Sequence, residues 1–201
     1  MEKYVTLILA LMVIVTAATW LLRRHFSMQL YLAVSKEDAA GAARVLDHPL
    51  FRMVFSGYEY LSLRIGAAVE LQAKAMLDQC CLRQKSVIMK KEQRESMLFR
   101  LAACYVDWGD KEKVEELSAQ LKETGSTKAL AIIDRLYHIY ILKDDCYLSE
   151  MEQEFQAATD PARQRELAAY LAAQYENRGD GKEALRYLDY IKSKGKEKEK
   201  C

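Results

Sequence analysis

At 201 residues the chain has room for one domain of ordinary size plus an appendage. Two prolines and eight glycines, beside abundant Ala, Leu, Glu, Lys, Arg and Gln, favour helix nearly throughout. A formal charge of +1 argues against recruiting nucleic acid or a strongly acidic partner by bulk charge.

Residues 4–22, YVTLILALMVIVTAATWLL, carry no charge and only three threonines, whose hydroxyls can bond back to helix carbonyls. Nineteen such residues rise about 28 Å as a helix, close to the hydrocarbon thickness of a bilayer. Trp20 stands where an interfacial aromatic belongs, and Arg23, Arg24 and His25 follow at once. Only Lys3 and the terminal amine precede the segment, offset by Glu2. This bias predicts a single-pass helix in the cell membrane with the long carboxyl-terminal portion in the cytoplasm. A cleaved signal peptide is the competing reading, because Val15-Thr16-Ala17 offers small residues. Its amino-terminal charge is weak, and the two arginines would oppose export.

Further along, Phe51, Met53, Phe55, Tyr58 and Tyr60 crowd together and are expected mostly in core. The segment 67–85 is expected as a long helix or one followed by an extra loop. Arg83, Lys85, Lys90, Lys91 and Arg94 form a basic patch that could touch anionic lipid but reads more simply as a solvated helix end.

An internal repeat organises the rest. LAACYVDWGDKEKV (residues 101–114) and LAAQYENRGDGKEA (residues 171–184) align without a gap at an offset of 70 residues. LYHIYILKDDCYLS (residues 136–149) places Tyr140 between them, so Tyr105, Tyr140 and Tyr175 stand 35 residues apart. Tyr60 and Tyr31 extend the series upstream, and the residue nine after the tyrosine is Ala40, Val69, Val114, Ser149 or Ala184. In the last copy Asp160 is a natural N-cap before Pro161, and Gly179 can end the helix in the left-handed conformation. Asp180 can cap the next helix with Glu183 reaching back, and Ala184, Leu188 and Ile191 form its apolar stripe. The tripeptide Arg178-Gly179-Asp180 thus reads as a helix turn rather than an adhesion signal.

The Leu-Ala-x-x-Tyr-x-x-x-Gly-Asp string with its small residue nine after the tyrosine resembles the tetratricopeptide repeat (TPR) family. The departures are Ser118 for a large apolar residue, Tyr137 for a small one and Asp144 for the turn glycine. The sequence as a whole predicts an all-α chain: a membrane helix at 1–26 from its apolar run, a solenoid of about five TPR-like hairpins at 27–192 as the resemblance implies, and a disordered Lys-rich tail at 193–201 from its composition. It also implies a protein or peptide partner in the groove lined by the first helix of each hairpin. By register the groove-facing residues are Ser96, Phe99, Ala103 and Val106, then Ala131, Asp134, His138 and Ile141, then Glu166, Ala169, Ala173 and Glu176. The function expected is a non-catalytic scaffold or adaptor; the alternative is an exported, membrane-tethered assembly or chaperone-like factor for envelope proteins.

No catalytic or metal constellation stands out in the sequence. His25, His48 and His138 lie far apart without ligand-like neighbours, and there is no phosphate loop, GxSxG or HExxH. Cys80, Cys81, Cys104, Cys146 and Cys201 are odd in number and lack zinc-knuckle or CxxC spacing. Cys80 and Cys81 read as small apolar side chains. No cofactor, metal or small-molecule substrate is therefore expected, and only a pocket gathering Asp134, His138 and Cys146 around a metal would revive an enzymatic reading.

Overall fold

No window of this sequence alternates with the period of a strand, and in the computed structural model, which describes residues 2–198, the regular elements are helices. They are α1 (Glu2–Ser35), α2 (Ala39–Leu46), α3 (Pro49–Val54), α4 (Gly57–Glu70), α5 (Lys74–Arg83), α6 (Lys91–Asp107), α7 (Lys111–Glu123), α8 (Thr127–Leu136), α9 (Leu148–Ala157), α10 (Pro161–Arg178) and α11 (Gly181–Lys198). A π-helical stretch, Tyr137–Leu142, prolongs α8. The chain divides into two compact units, Met1–Met97 and Leu98–Cys201.

α1 is long and apolar enough to cross a membrane, and its large apolar side chains between Tyr4 and Leu21 are exposed. Thr16 and Thr19 donate to the carbonyls of Met12 and Val15, each at 2.8 Å, so two of the three hydroxyls in the segment need no outside partner. The helix does not stop at the expected boundary near residue 26. It runs on to Ser35, burying Phe26 and Leu30 within the first unit. α11 likewise continues into the expected tail as far as Lys198; residues 199–201, with Cys201, lie outside the described residues.

Five turns of one design join the helices. A residue with positive φ ends the first helix of each pair: Glu37 (55°), Gln72 (50°), Gly109 (67°), Lys143 (56°) and Gly179 (84°). The next N–H then reaches back to the carbonyl five residues earlier in four of them: Asp38 to Ala33 (2.9 Å), Ala73 to Ala68 (2.8 Å), Asp110 to Tyr105 (3.0 Å) and Asp180 to Tyr175 (2.8 Å). These bonds satisfy carbonyls that a helix end otherwise leaves bare. Asp38, Asp110 and Asp180 then accept from Gly41, Lys113 and Glu183 N–H at 2.7, 3.2 and 3.2 Å, opening the second helix. Asp160 caps α10 as its sequence suggests. Glu183, expected to close a capping box, instead pairs with Arg186 at 3.0 Å.

The turns correct the register of the repeat. Counting from the positive-φ residue, the position four before it is Ala33, Ala68, Tyr105, Ile139 and Tyr175. The position nine further on is Ala42, Leu77, Val114, Leu148 and Ala184, and all five are buried. Ala40, Val69 and Ser149, read from the tyrosines, are exposed. Tyr140 is also off register at 38% exposed, while Ile139 beside it is 1% exposed. The slip arises before the turn, since Ile139 stands 34 residues after Tyr105 while its turn keeps the same spacing as the others; a π-helical stretch leads into it, and the N–H of Asp144 bonds the carbonyl of His138, six residues back, at 3.1 Å. Lys143, not Asp144, therefore occupies the glycine position.

The segment 67–85 is not one long helix. It breaks at Gln72 between α4 and α5 and is followed by a short 3-10 turn, Gln84–Ser86, and a loop. Phe51 and Tyr60 are core, with Phe51 stacked on Phe55 at 4.4 Å, but Met53 is 78% exposed. Cys80 and Cys81 are buried, as small apolar side chains tend to be. In the second unit Leu167, Leu171, Tyr175 and Tyr187 pack with Ile139, Leu148 and Met151. Tyr187, stacked on Tyr175 at 5.7 Å, belongs to this core although the expected stripe of α11 omits it.

Candidate functional site

Helices α8, α9 and α10 of the second unit enclose an open groove of about 440 Å³. Ala131, Ile132, Leu136 and Met151 supply apolar surface, and Tyr170 closes one side. Alanine and isoleucine at adjacent positions on α8 keep this wall low, because a larger residue at 131 would fill the groove. Charged side chains form the rim. Arg135 contacts Glu150 and lies 2.9 Å from Glu154. Arg163 bridges Glu154 at 2.8 Å and Glu166 at 2.9 Å, and the Tyr170 hydroxyl donates to Glu166 at 3.0 Å. Burial first, and then the Glu166 carboxylate, push the Tyr170 phenol well above its ordinary value, so it remains a neutral donor. Lys128 also lines the groove and forms no ion pair among the described residues. The lining thus holds three cations against two carboxylates, Glu154 and Glu166.

The residues expected to face a groove are distributed as follows. Ala131 and Glu166 line it. Asp134 lines a smaller cavity of about 250 Å³ with Glu115, Ser118 and Tyr137. Val106 is buried at 3% and offers no surface to a partner. Ser96, Phe99, Ala103, Ile141, Ala169 and Ala173 are half-buried, and Glu176 is exposed. Ala173 packs against the core of the second unit. Ile132, Arg135 and Tyr170 are groove residues that the repeat register omits. Their signal, large side chains one position from the expected face, is visible only once the helices are placed.

His138 stands apart from the groove, in a polar cluster that the sequence spacing conceals. Its Nδ1 is 2.7 Å from Asp144 Oδ2 and 3.5 Å from Cys146 Sγ. The π-helical turn and the left-handed Lys143 fold the chain back so that residues six and eight positions on meet the imidazole. Asn177 of α10 pins this turn, donating to the carbonyls of Ile139 at 2.8 Å and Asp144 at 3.1 Å. The ring is flanked edge-on by Tyr137 and Tyr147. Partial burial would raise the Asp144 carboxyl, but hydrogen bonds from His138 and Cys146 outweigh it and hold the group below the usual carboxylate range. Burial and the adjoining Asp144 carboxylate push the Cys146 thiol up to about 11. The Tyr147 hydroxyl donates to Asp134 and is pushed up to about 12, mainly by that bond.

The first unit holds a further cavity of about 440 Å³ between α1 and α2, lined by Phe26, Leu32, Lys36, Arg44 and His48 among others. His48 is committed locally, accepting from Leu50 N–H at 3.2 Å as the cap of α3. The basic patch is partly committed too, since Arg83 donates to Tyr60, while Lys85, Lys90, Lys91 and Arg94 are exposed. Comparison with family models, with curated proteins and with solved structures finds no match to this chain.

Proposed function

We propose that the chain is a membrane-anchored, non-catalytic scaffold of TPR-like helical hairpins that holds a segment of a partner protein in the groove of α8, α9 and α10. The observation that carries the reading is the groove itself: an apolar lining ringed by paired charges, with Lys128 left over. Such a surface suits a segment that presents apolar side chains together with one acidic residue, because that residue would neutralise Lys128 without breaking an existing pair. The recurrence of a positive-φ turn residue at five places, four of them with the same back-bond, supports the repeat assignment, since hairpins of this kind bury their apolar faces only against neighbours. In this reading residues 4–22 are the anchor, and the excess of arginine after it favours hairpins in the cytoplasm, at the inner face of the cell membrane. A membrane tether would raise the effective concentration of a bilayer-bound partner without any new contact.

The test is site-specific photocrosslinking in native membranes, with the crosslinker at Ile132 on the groove and at Glu176 as an exposed control. A discrete adduct from Ile132 that Ala131→Trp abolishes and Lys128→Glu reduces about tenfold, or about 1.4 kcal/mol, is the expected result. Equal labelling from both positions would remove the groove from the account. A reporter active only in the cytoplasm, fused to the carboxyl terminus, checks the orientation; an inactive fusion would favour the exported assembly factor.

A further inference from the structure

We propose that His138, Asp144 and Cys146 form a binding site for a thiophilic divalent cation, zinc(II) foremost, with one coordination position left open.

The three ligand atoms already converge, all lying within 4.8 Å of one another. Both Asp144 and Cys146 approach the same ring nitrogen of His138. This geometry excludes a proton relay of nucleophile, base and orienting acid, which needs the two nitrogens of the imidazole for different partners. It is the geometry of three donors around a single cation. Zinc bond lengths in a tetrahedron set nitrogen–sulfur separations of about 3.6 Å and nitrogen–oxygen separations of about 3.3 Å. The observed Nδ1 to Sγ distance of 3.5 Å meets the first, and the Nδ1 to Oδ2 distance of 2.7 Å would open slightly as the intervening hydrogen is replaced.

The proton inventory agrees. A carboxylate oxygen accepts, so Nδ1 of His138 is assigned the hydrogen of the 2.7 Å contact. The Cys146 thiol, protonated near neutral pH as thiols ordinarily are, holds a second hydrogen, with Sγ 3.5 Å from the same nitrogen. Two hydrogens are thus held among three ligand atoms, and one divalent cation substitutes for both. On binding, the thiol proton leaves to solvent and the imidazole proton moves from Nδ1 to Nε2, freeing the Nδ1 lone pair. The site passes from a net charge of −1 to zero. Asp134, one helical turn before His138, adds negative potential at Cys146 and so favours a cation further. Cysteine, histidine and carboxylate together suit zinc rather than magnesium or calcium, which take oxygen ligands alone. The turn needs no reorganisation, because Asn177 and the flanking tyrosines hold it.

Titration calorimetry of the full chain in detergent micelles with zinc chloride, on a Cys201→Ser background under a non-thiol reductant, tests this. One zinc per chain is expected, with affinity rising about tenfold per pH unit near neutrality because one proton is released. Cys146→Ser and His138→Ala should each weaken binding at least tenfold, whereas Cys104→Ser should leave it unchanged. Cobalt(II) provides a readout that needs no variant: a thiolate-to-cobalt charge-transfer band should appear at one equivalent. Absence of that band, or zinc affinity unaltered by Cys146→Ser, would overturn the proposal.

Discussion

Ile139 and Tyr140 are neighbours with opposite fates, one in the core and the other at the surface, its ring centroid 6.4 Å from that of Tyr170 in an edge-on contact. Truncating Ile139 to Ala leaves a cavity and should cost about 2–4 kcal/mol. The same change at Tyr140 loses one partly exposed ring contact, at about 1 kcal/mol. Urea unfolding of the two variants in micelles orders them, and the reverse order would contradict the shifted register. A second residue-scale prediction concerns Arg64, 2% exposed on α4, which donates to Asp47 at 2.8 Å and to the Tyr60 hydroxyl at 2.7 Å. Burial would raise the Asp47 carboxyl, but Arg64, helped by Arg52 and Arg83, holds it below its ordinary value. A depressed folded value means that the stabilisation is present above the unfolded value, about pH 3.9, and is lost as pH falls through the folded one. Acid titration of thermal stability should therefore show a component below about pH 4 that Asp47→Asn removes. That variant should also be less stable at neutral pH by about 1 kcal/mol. No spacing in the sequence announces this network, because its members come from the end of α2 and from α3, α4 and α5, which only folding brings together.

At the scale of elements, the turns divide into those the sequence reveals and those it hides. Gly109-Asp110 and Gly179-Asp180 are readable because glycine is the residue that takes positive φ without strain. Glu37, Gln72 and Lys143 adopt the same conformation with a side chain, and nothing in their identity signals it. The tyrosines were therefore the only visible register mark, and they served in two copies while Ala33, Ala68 and Ile139 stood unnoticed in the others. Helix ends with an aspartate cap were legible; the π-helical stretch was not, since nothing in the identity of residues Tyr137 to Leu142 marks it. The strain is testable in both directions. Lys143→Gly should raise stability by about 0.5–1 kcal/mol, and Gly179→Ala should lower it by about 1 kcal/mol. A Cβ at Gly179 meets nothing within 4 Å, so the second change isolates the backbone term. Thermal melts of both variants give the comparison.

For the whole molecule, composition and periodicity were enough to give the all-helical class and an apolar helix long enough to span a membrane. They were not enough to give the extent of that helix, because Phe26 and Leu30 look like the continuation of an anchor until their burial under the first unit is seen. The candidate groove was half legible: Ala131 and Glu166 follow from the repeat register, but its cationic surplus depends on which pairs form. The position of Arg23 marks where the exposed apolar stretch of α1 ends, since its Nε donates to the Val54 carbonyl at 2.6 Å and its guanidinium pairs with Glu59. A version of the chain starting at Arg23 should stay folded in water. One starting at Lys36 should lose the first unit while keeping the second, as limited proteolysis would reveal by early cleavage before residue 97.

A helix that passes without a break from its apolar stretch into the body of a folded unit has no swivel. α1 contains no proline or glycine over its 34 residues, and its last part is clamped by α2 and by Arg23. With residues 4–22 across a bilayer, the first unit could not turn independently of its anchor: tilting or rotating the helix would carry the unit with it, as a handle turns a key. A stiff shaft of this kind transmits torque in both directions, so the angle at which the chain meets the membrane is set by the helix itself rather than by a slack tether.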